Sequence, residues 1–122
     1  MFGLFQRPKL VAGFVASEAI SNEFTREIDL AGHLELKNEG SDADLSSVEM
    51  MIIAGSRRIP LDVPLLWKGL RLSKGEEKSE ELRWKLTLDS PLRAQAGELF
   101  VGAHDQKRQT WQWRLPFKFE LR

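Results

Sequence analysis

The chain has 122 residues, of which 42% are hydrophobic and 30% charged, the composition of an ordinary folded domain. Its 18 basic and 18 acidic residues cancel, so no net field steers it towards nucleic acid or an anionic membrane. It has no cysteine, which excludes disulfides, thiolate metal sites and a cysteine nucleophile.

The organisation along the chain is that of one domain. Residues 1–8 form a short apolar tip, which we expect to be flexible because chain ends usually fray. Residues 9–122 then form a single domain. No window reaches the roughly 18 apolar residues that a membrane-spanning helix needs. The lack of cysteine fits the cytoplasm, which is the location we expect.

The first half of the domain alternates between apolar and polar residues, which predicts β-strands. Lys9–Ser17 is predicted as the first strand. The alternation becomes clean from Ile28 to Lys37, as in an antiparallel strand with one wet face. Ser47–Ala54 is the next strand, with both faces apolar in its middle. Gly55–Ser56 then supplies a two-residue type II′ turn.

After this turn, Arg57–Leu61 is predicted to return as the second strand of a hairpin. Pro60 and Pro64 cannot donate to a strand ladder, which indicates an edge or a crossover between sheets. Leu82–Leu88 and Glu98–His104 are two further strands, each ending in a polar loop.

The last stretch, Trp111–Arg122, alternates without interruption and is predicted as one long strand with a heavy apolar face. Six large side chains on one face need a second sheet to pack against; they are Trp111, Trp113, Leu115, Phe117, Phe119 and Leu121.

Seven or eight short strands separated by turn signals predict an all-β fold, an immunoglobulin-like antiparallel β-sandwich. The core expected from the inward positions of these strands is Ile28, Leu30, Leu34, Leu36, Val48, Met50, Ile52, Leu82, Trp84, Leu86, Leu99, Val101, Trp111, Trp113, Leu115, Phe117 and Phe119.

One region of the chain resembles a known family. Between Leu70 and Leu92, a strand leads into a Gly-Glu turn at Gly75–Glu76, and a second strand ends just before Asp89–Ser90–Pro91. This arrangement resembles the arrestin-like sandwiches, including bacterial sporulation-control proteins, and the apolar segment Phe2–Phe5 before the first strand is also similar. The resemblance covers about half of the chain and implies a non-enzymatic adaptor or scaffold.

The residues that could support catalysis are few. His33 shares a strand face with Glu35, and His104 would join them in a metal-assisted hydrolase if the two strands were adjacent. A solvated strand face is the alternative, and it is the one we favour. There is no G-x-S-x-G motif and no glycine-rich phosphate loop. We therefore predict no enzyme, no metal and no cofactor.

An apolar group opposite the core points instead to a partner. Met51, Ile53 and Phe100, together with Val11 and Val15, are expected on outward strand faces, and exposed apolar patches often mark interaction sites. A free strand edge could also accept a partner's strand. The sequence thus predicts a non-catalytic protein-interaction or scaffold module that binds a protein or itself. Alternatively, the N-terminal segment or Leu65–Trp67 simply covers this patch.

A second alternative is a binder of single-stranded nucleic acid or another polyanion. The hairpin residues Arg57 and Arg58 would contact phosphates, and Trp67 would offer a stacking surface for a base. The net charge of zero counts against nucleic acid as the partner.

Overall fold

A computed structural model describes residues 7–107 and 109–122, which fold as an all-β sandwich of two sheets. The predicted class is confirmed, with nine strands in this part of the chain rather than seven or eight. They are β1 (Leu10–Ser21), β2 (Glu27–Asn38), β3 (Ala43–Ala54), β4 (Arg57–Leu61), β5 (Leu70–Leu72), β6 (Glu77–Thr87), β7 (Ala96–Asp105), β8 (Thr110–Lys118) and β9 (Glu120–Leu121). Within these ranges, no helix is long and apolar enough to cross a bilayer.

The two sheets divide the chain between them. The four-stranded sheet has the order β6-β2-β1-β9, and the five-stranded sheet has the order β4-β3-β7-β8, with β5 also pairing with β3. Neighbouring strands are antiparallel except for β1 and β9. The inward residues of both sheets meet in one core, as the alternating pattern predicts.

The prediction of one long strand over Trp111–Arg122 is wrong. β8 ends at Lys118 and pairs with β7, whereas β9 pairs in parallel with the end of β1. Phe119 lies between them and is buried, with its ring 5.0 Å from that of Phe117 in an edge-to-face contact. The chain therefore crosses from one sheet to the other while Phe117 and Phe119 keep facing the same core, whereas Leu121, predicted on the same apolar face, is 41% exposed.

The segment from Asp62 to Gly69 closes one side of the sandwich. It contains a 3-10 turn, Leu65–Trp67, whose tryptophan is only 1% exposed. The Trp67 indole N–H donates to Glu80 Oε2 at 2.6 Å, and the Trp84 indole N–H donates to the Asp62 carbonyl at 2.9 Å. Both partners join this segment to β6 of the other sheet, so Trp67 belongs to the core.

The core expected from the sequence is largely confirmed, with one group less covered than predicted. Trp111, Trp113 and Leu115, on β8 at the edge of its sheet, are half-buried. Val48 and Leu86 are also half-buried. The remaining predicted core residues are buried.

Backbone hydrogen bonds join the start of the described chain to the turn between β2 and β3. Of the tip predicted as flexible, residues 1–6 lie outside the described residues. The carbonyl of Arg7 accepts a hydrogen bond from the backbone N–H of Ser41, and the carbonyl of Lys9 accepts one from that of Glu39. The first strand begins beside these contacts and runs to Ser21, four residues beyond its predicted end.

Candidate interaction surface

The outer face of the five-stranded sheet carries the centre of the predicted partner site. Met51 and Phe100 lie directly opposite each other on β3 and β7, and each is half-buried. Pro60 on β4 and Arg114 on β8 extend the same row across the sheet. Directly opposed side chains on one face of a sheet contact each other, so Met51 and Phe100 form a joint apolar surface.

Ile53 lies one row further along the same face, between Arg58 on β4 and Glu98 on β7. It is only 8% exposed, so the prediction that it offers a large free contact surface is wrong. The neighbouring strands flank it on both sides in a row that continues to Pro116. Ile53 therefore lies on the same face but is covered by its neighbours, while Met51 and Phe100 are more accessible to solvent.

A depression opens beside this row, at the end of the sheet where β7 begins and β8 ends. Its volume is about 500 Å³, and its walls are mostly apolar. Charged side chains stand at its rim: Arg114 pairs with Glu98 at 3.3 Å, whereas Lys118 makes no ion pair with a described residue. The residues that line it are Ile53, Gly55, Ala96, Gly97, Glu98, Arg114, Pro116, Phe117 and Lys118.

The Phe100 ring lies over Gly102, two residues along the same strand. A Cβ atom on Gly102 would lie 3.2 Å from the Phe100 ring, which shows that the ring leans over this position. Gly102 is buried as a result. An aromatic ring that covers a strand glycine protects the backbone there, so Phe100 has a structural role besides its place in the surface.

The two arginines of the predicted basic hairpin do not act together. Arg58 is exposed on the outer face beside Ile53, whereas Arg57 pairs with the inward position Ala54. The Arg57 guanidinium donates to the carbonyls of Ser90 and Pro91 at 3.0 and 3.1 Å. The prediction of a joint phosphate site is wrong, because adjacent strand residues point to opposite faces and Arg57 holds the β6–β7 loop.

The remaining elements of the polyanion site are also separated. Trp67 is buried and cannot stack on a base.

The two valines predicted to share the apolar patch with Met51 lie elsewhere. Val11 and Val15 are on β1 in the other sheet and are exposed on the opposite surface of the sandwich. The apolar patch is consequently smaller than predicted and is confined to the five-stranded sheet.

The two histidines cannot share a metal ion. His33 is on the outer face of the four-stranded sheet beside Val15 and Glu81, and His104 is on the five-stranded sheet opposite Ser47 and Thr110. The whole sandwich separates them, so the metal-assisted site that would join the two histidines, which was the less favoured of the two interpretations, cannot form. No group of three His, Asp or Glu side chains arranged to bind a metal occurs among residues 7–107 and 109–122.

His33 instead belongs to a surface hydrogen-bond network. Its Nδ1 lies 2.8 Å from Glu81 Oε1 and its Nε2 lies 3.2 Å from Glu35 Oε1. The hydrogen bond to Glu81, and secondly that to Glu35, raises the pKa of His33 above its ordinary value. Each carboxylate is within hydrogen-bond distance of a different ring nitrogen. This arrangement favours the imidazolium, in which both nitrogens carry a proton, and leaves neither nitrogen available to a metal.

One exposed residue was missed from the sequence. Phe24 lies in the loop between β1 and β2 and is 91% exposed. The signal was a large aromatic residue immediately after the turn signal Ser21–Asn22–Glu23, in a segment too short to bury it. The alternation of inward and outward side chains, which identifies the faces of a strand, does not apply within a loop.

Comparison with known proteins identifies the fold and leaves the function open. No family model and no curated protein matches this chain. A solved Bordetella pertussis protein given the provisional name ApaA aligns with 95% of this chain and 96% of its own, at 15% identity and a TM-score of 0.62. A second structure, a structural genomics target, aligns with 98% of this chain and 89% of its own, at 11% identity and a TM-score of 0.52. Similarity at these identities concerns the fold alone.

Proposed function

We propose that this protein is a non-catalytic interaction or scaffold module that binds a protein partner through the outer face of its five-stranded sheet. The observation that carries the proposal is the row Pro60–Met51–Phe100, which sets an apolar strip beside an apolar depression on a face open to solvent. Burial of apolar surface of this kind by a partner is favourable, because it removes the surface from water.

The arrangement of charge supports a specific contact rather than general stickiness. Arg58 and Arg114 lie at the two sides of the apolar strip, and Glu98 lies between them. Protein interfaces commonly combine an apolar centre with a polar rim, which excludes partners whose charges do not match. The edge strand β8 adjoins the same face and could pair with an extended segment of the partner.

The resemblance to arrestin-like sandwiches supports the same class of function, because that family implies adaptors and scaffolds. We also propose that the protein acts in the cytoplasm, on the basis of its cysteine-free composition. Catalysis has no part in this proposal.

The test is quantitative capture from native lysate with wild type, Met51→Lys and a matched control, Val15→Lys. Val15 is exposed on the other sheet, so its substitution adds the same charge to the opposite face. We expect Met51→Lys to lose a captured protein that Val15→Lys retains, because a lysine desolvated at an apolar contact is costly. Ile53 is avoided because it is buried, and circular dichroism checks that both variants fold.

Recovery of the same proteins by all three forms would contradict the proposal. A labelled single-stranded oligonucleotide at low salt, with wild type and Arg58→Ala, separates protein binding from polyanion binding. Tight binding that Arg58→Ala weakens would replace the proposed function with the polyanion alternative.

A further inference from the structure

Two features at one end of the sandwich complement each other: the exposed Phe24 on the β1–β2 loop and the depression beside Ile53. We propose that this protein self-associates, with Phe24 of one copy inserted into the depression of a second copy. This inference rests on the proposed function in that it assigns an occupant, a second copy of this chain, to the same face.

Phe24 is presented by an ordered loop. The side-chain Oδ1 of Asn22 accepts hydrogen bonds from the backbone N–H groups of Phe24 and Thr25 at 2.9 and 3.1 Å. Arg26 follows with a φ of 60°, a left-handed conformation that side chains seldom adopt. Its guanidinium donates to the Asp89 carbonyl at 3.1 Å, and its own carbonyl accepts from the Leu88 N–H at 2.8 Å.

The chain terminus braces this loop from the other side. The backbone N–H of Glu23 donates to the Arg122 carbonyl at 2.8 Å, and the N–H of Arg122 donates to the Ser21 carbonyl at 2.9 Å. A loop whose backbone is already ordered loses less conformational entropy on binding than a flexible one. Phe24 is thus carried by an ordered backbone, and its side chain lies almost wholly in water.

The depression matches such an anchor in polarity and in charge. Its walls are mostly apolar; at its rim Arg114 is paired with Glu98, whereas Lys118 makes no ion pair with a described residue. On the loop, Glu23 immediately precedes Phe24, so a carboxylate lies beside the anchor. This carboxylate is 3.0 Å from Arg93 of its own chain. Insertion would place the acidic side of the anchor against the basic side of the depression.

The location of the two features favours a closed dimer. Ser21 pairs with Leu121 and Ala96 pairs with Lys118, so the loop and the depression occupy the same end of the sandwich. The loop continues the four-stranded sheet, and the depression lies on the five-stranded sheet. A two-fold arrangement would use both anchors and both depressions and leave neither unpaired, whereas a single contact would propagate into chains.

Complementation between two variants tests this proposal. Phe24→Ser removes the anchor and leaves the depression, whereas Ala96→Phe fills the depression at an exposed position and leaves the anchor. Val15→Ser on the opposite face is the matched control. The measurement is sedimentation over a range of concentrations, with circular dichroism to confirm that each variant folds.

We expect a concentration-dependent dimer for wild type and for Val15→Ser. Phe24→Ser and Ala96→Phe each remove both contacts of the two-fold dimer, so each should raise the dissociation constant by about 100- to 10,000-fold, the effect of two buried phenylalanine side chains. An equimolar mixture of the two variants should form a heterodimer, weaker than wild type and stronger than either variant alone, because one anchor still meets one intact depression.

A wild-type protein that stays monomeric throughout, a Phe24→Ser variant that dimerises normally, or a mixture without heterodimer would overturn the inference. These outcomes are distinct from failure of the proposed function, which is measured by the effect of Met51→Lys on captured proteins. A monomeric wild type with a partner lost in Met51→Lys would reject self-association alone.

Discussion

The two outer faces of the sandwich differ in how their side chains are satisfied. On the four-stranded sheet, Arg83 binds Glu18 at 2.8 Å and Asp29 at 3.2 Å, and His33 lies between two glutamates. On the five-stranded sheet, the central row is Met51 and Phe100, which have no polar group to pair. The first face also exposes the apolar side chains of Val11 and Val15, but its charged side chains pair with one another, whereas the centre of the second face is apolar.

This difference shows that facing outwards is not the same as being a solvated surface. Ion-paired charged side chains on a surface remain hydrated and resist removal from water, because the free energy of desolvating them can exceed that of their mutual attraction. Apolar side chains at equivalent positions have the opposite balance. The five-stranded sheet is therefore the face on which to look for contacts, and substitutions on the two faces should behave differently.

The largest expected difference is between Ile53→Ala and Val15→Ala. Ile53 is 8% exposed although it lies on an outer face, so its truncation should lower the free energy of unfolding by about 2–3 kcal/mol. Val15 is 72% exposed on the other outer face, and its truncation should change stability by no more than about 0.5 kcal/mol. Urea denaturation measures both, and equal losses would remove the distinction between the faces.

A smaller effect is expected from Arg83→Ala, which breaks the charged network of the four-stranded sheet. One oxygen of Asp29, Oδ1, is buried without a hydrogen-bond partner in the described structure, and Arg83 is the nearer of the two cations beside the other oxygen. Because Arg83 is half exposed, we expect a loss of only about 0.5–1 kcal/mol at low salt, decreasing as salt is added.

The matched control for that experiment is Lys85→Ala. Lys85 lies 4.0 Å from the same carboxylate and is more exposed, so its removal should cost less than about 0.3 kcal/mol. A larger loss for Lys85→Ala than for Arg83→Ala would show that the network is not organised around Arg83.

The smallest effect is the pH dependence contributed by His33. Its pKa is raised in the folded protein, chiefly by the hydrogen bond to Glu81, so the folded state binds the proton more tightly than the unfolded chain. The resulting stabilisation is fully present below the unfolded pKa of about 6.5 and is lost as the pH rises through the folded value. His33→Asn should therefore cost more stability at pH 5.5 than at pH 8.5.

Denaturation of wild type and His33→Asn at these two pH values measures the difference. His104→Asn is the control, because the His104 ring makes no hydrogen bond to a described residue. The Ser46 hydroxyl donates to the backbone carbonyl of His104, which the substitution keeps. A cost for His33→Asn that is the same at both pH values would show that the two glutamates do not hold the imidazolium.

The site could be predicted only in part. Alternation on β3 and β7 correctly gave Met51 and Phe100 outward positions, because strand geometry fixes which side chains share a face. The same reasoning grouped them with Val15, which belongs to the other sheet, since a pattern with a period of two is identical in both sheets. The exposure of Phe24 depends on a loop held by Asn22 and Arg122, which no periodic pattern describes.

By itself, the sequence determined the all-β class, most of the strands and most of the core, because these depend on local alternation and on turn residues. Only the tertiary structure decided how the strands divide between the sheets. Phe119 stays in the core while its chain changes sheet, and Trp67 is buried because a segment without periodicity packs against β6. Burial at those positions comes from partners distant in the chain, whose identity the local pattern does not contain.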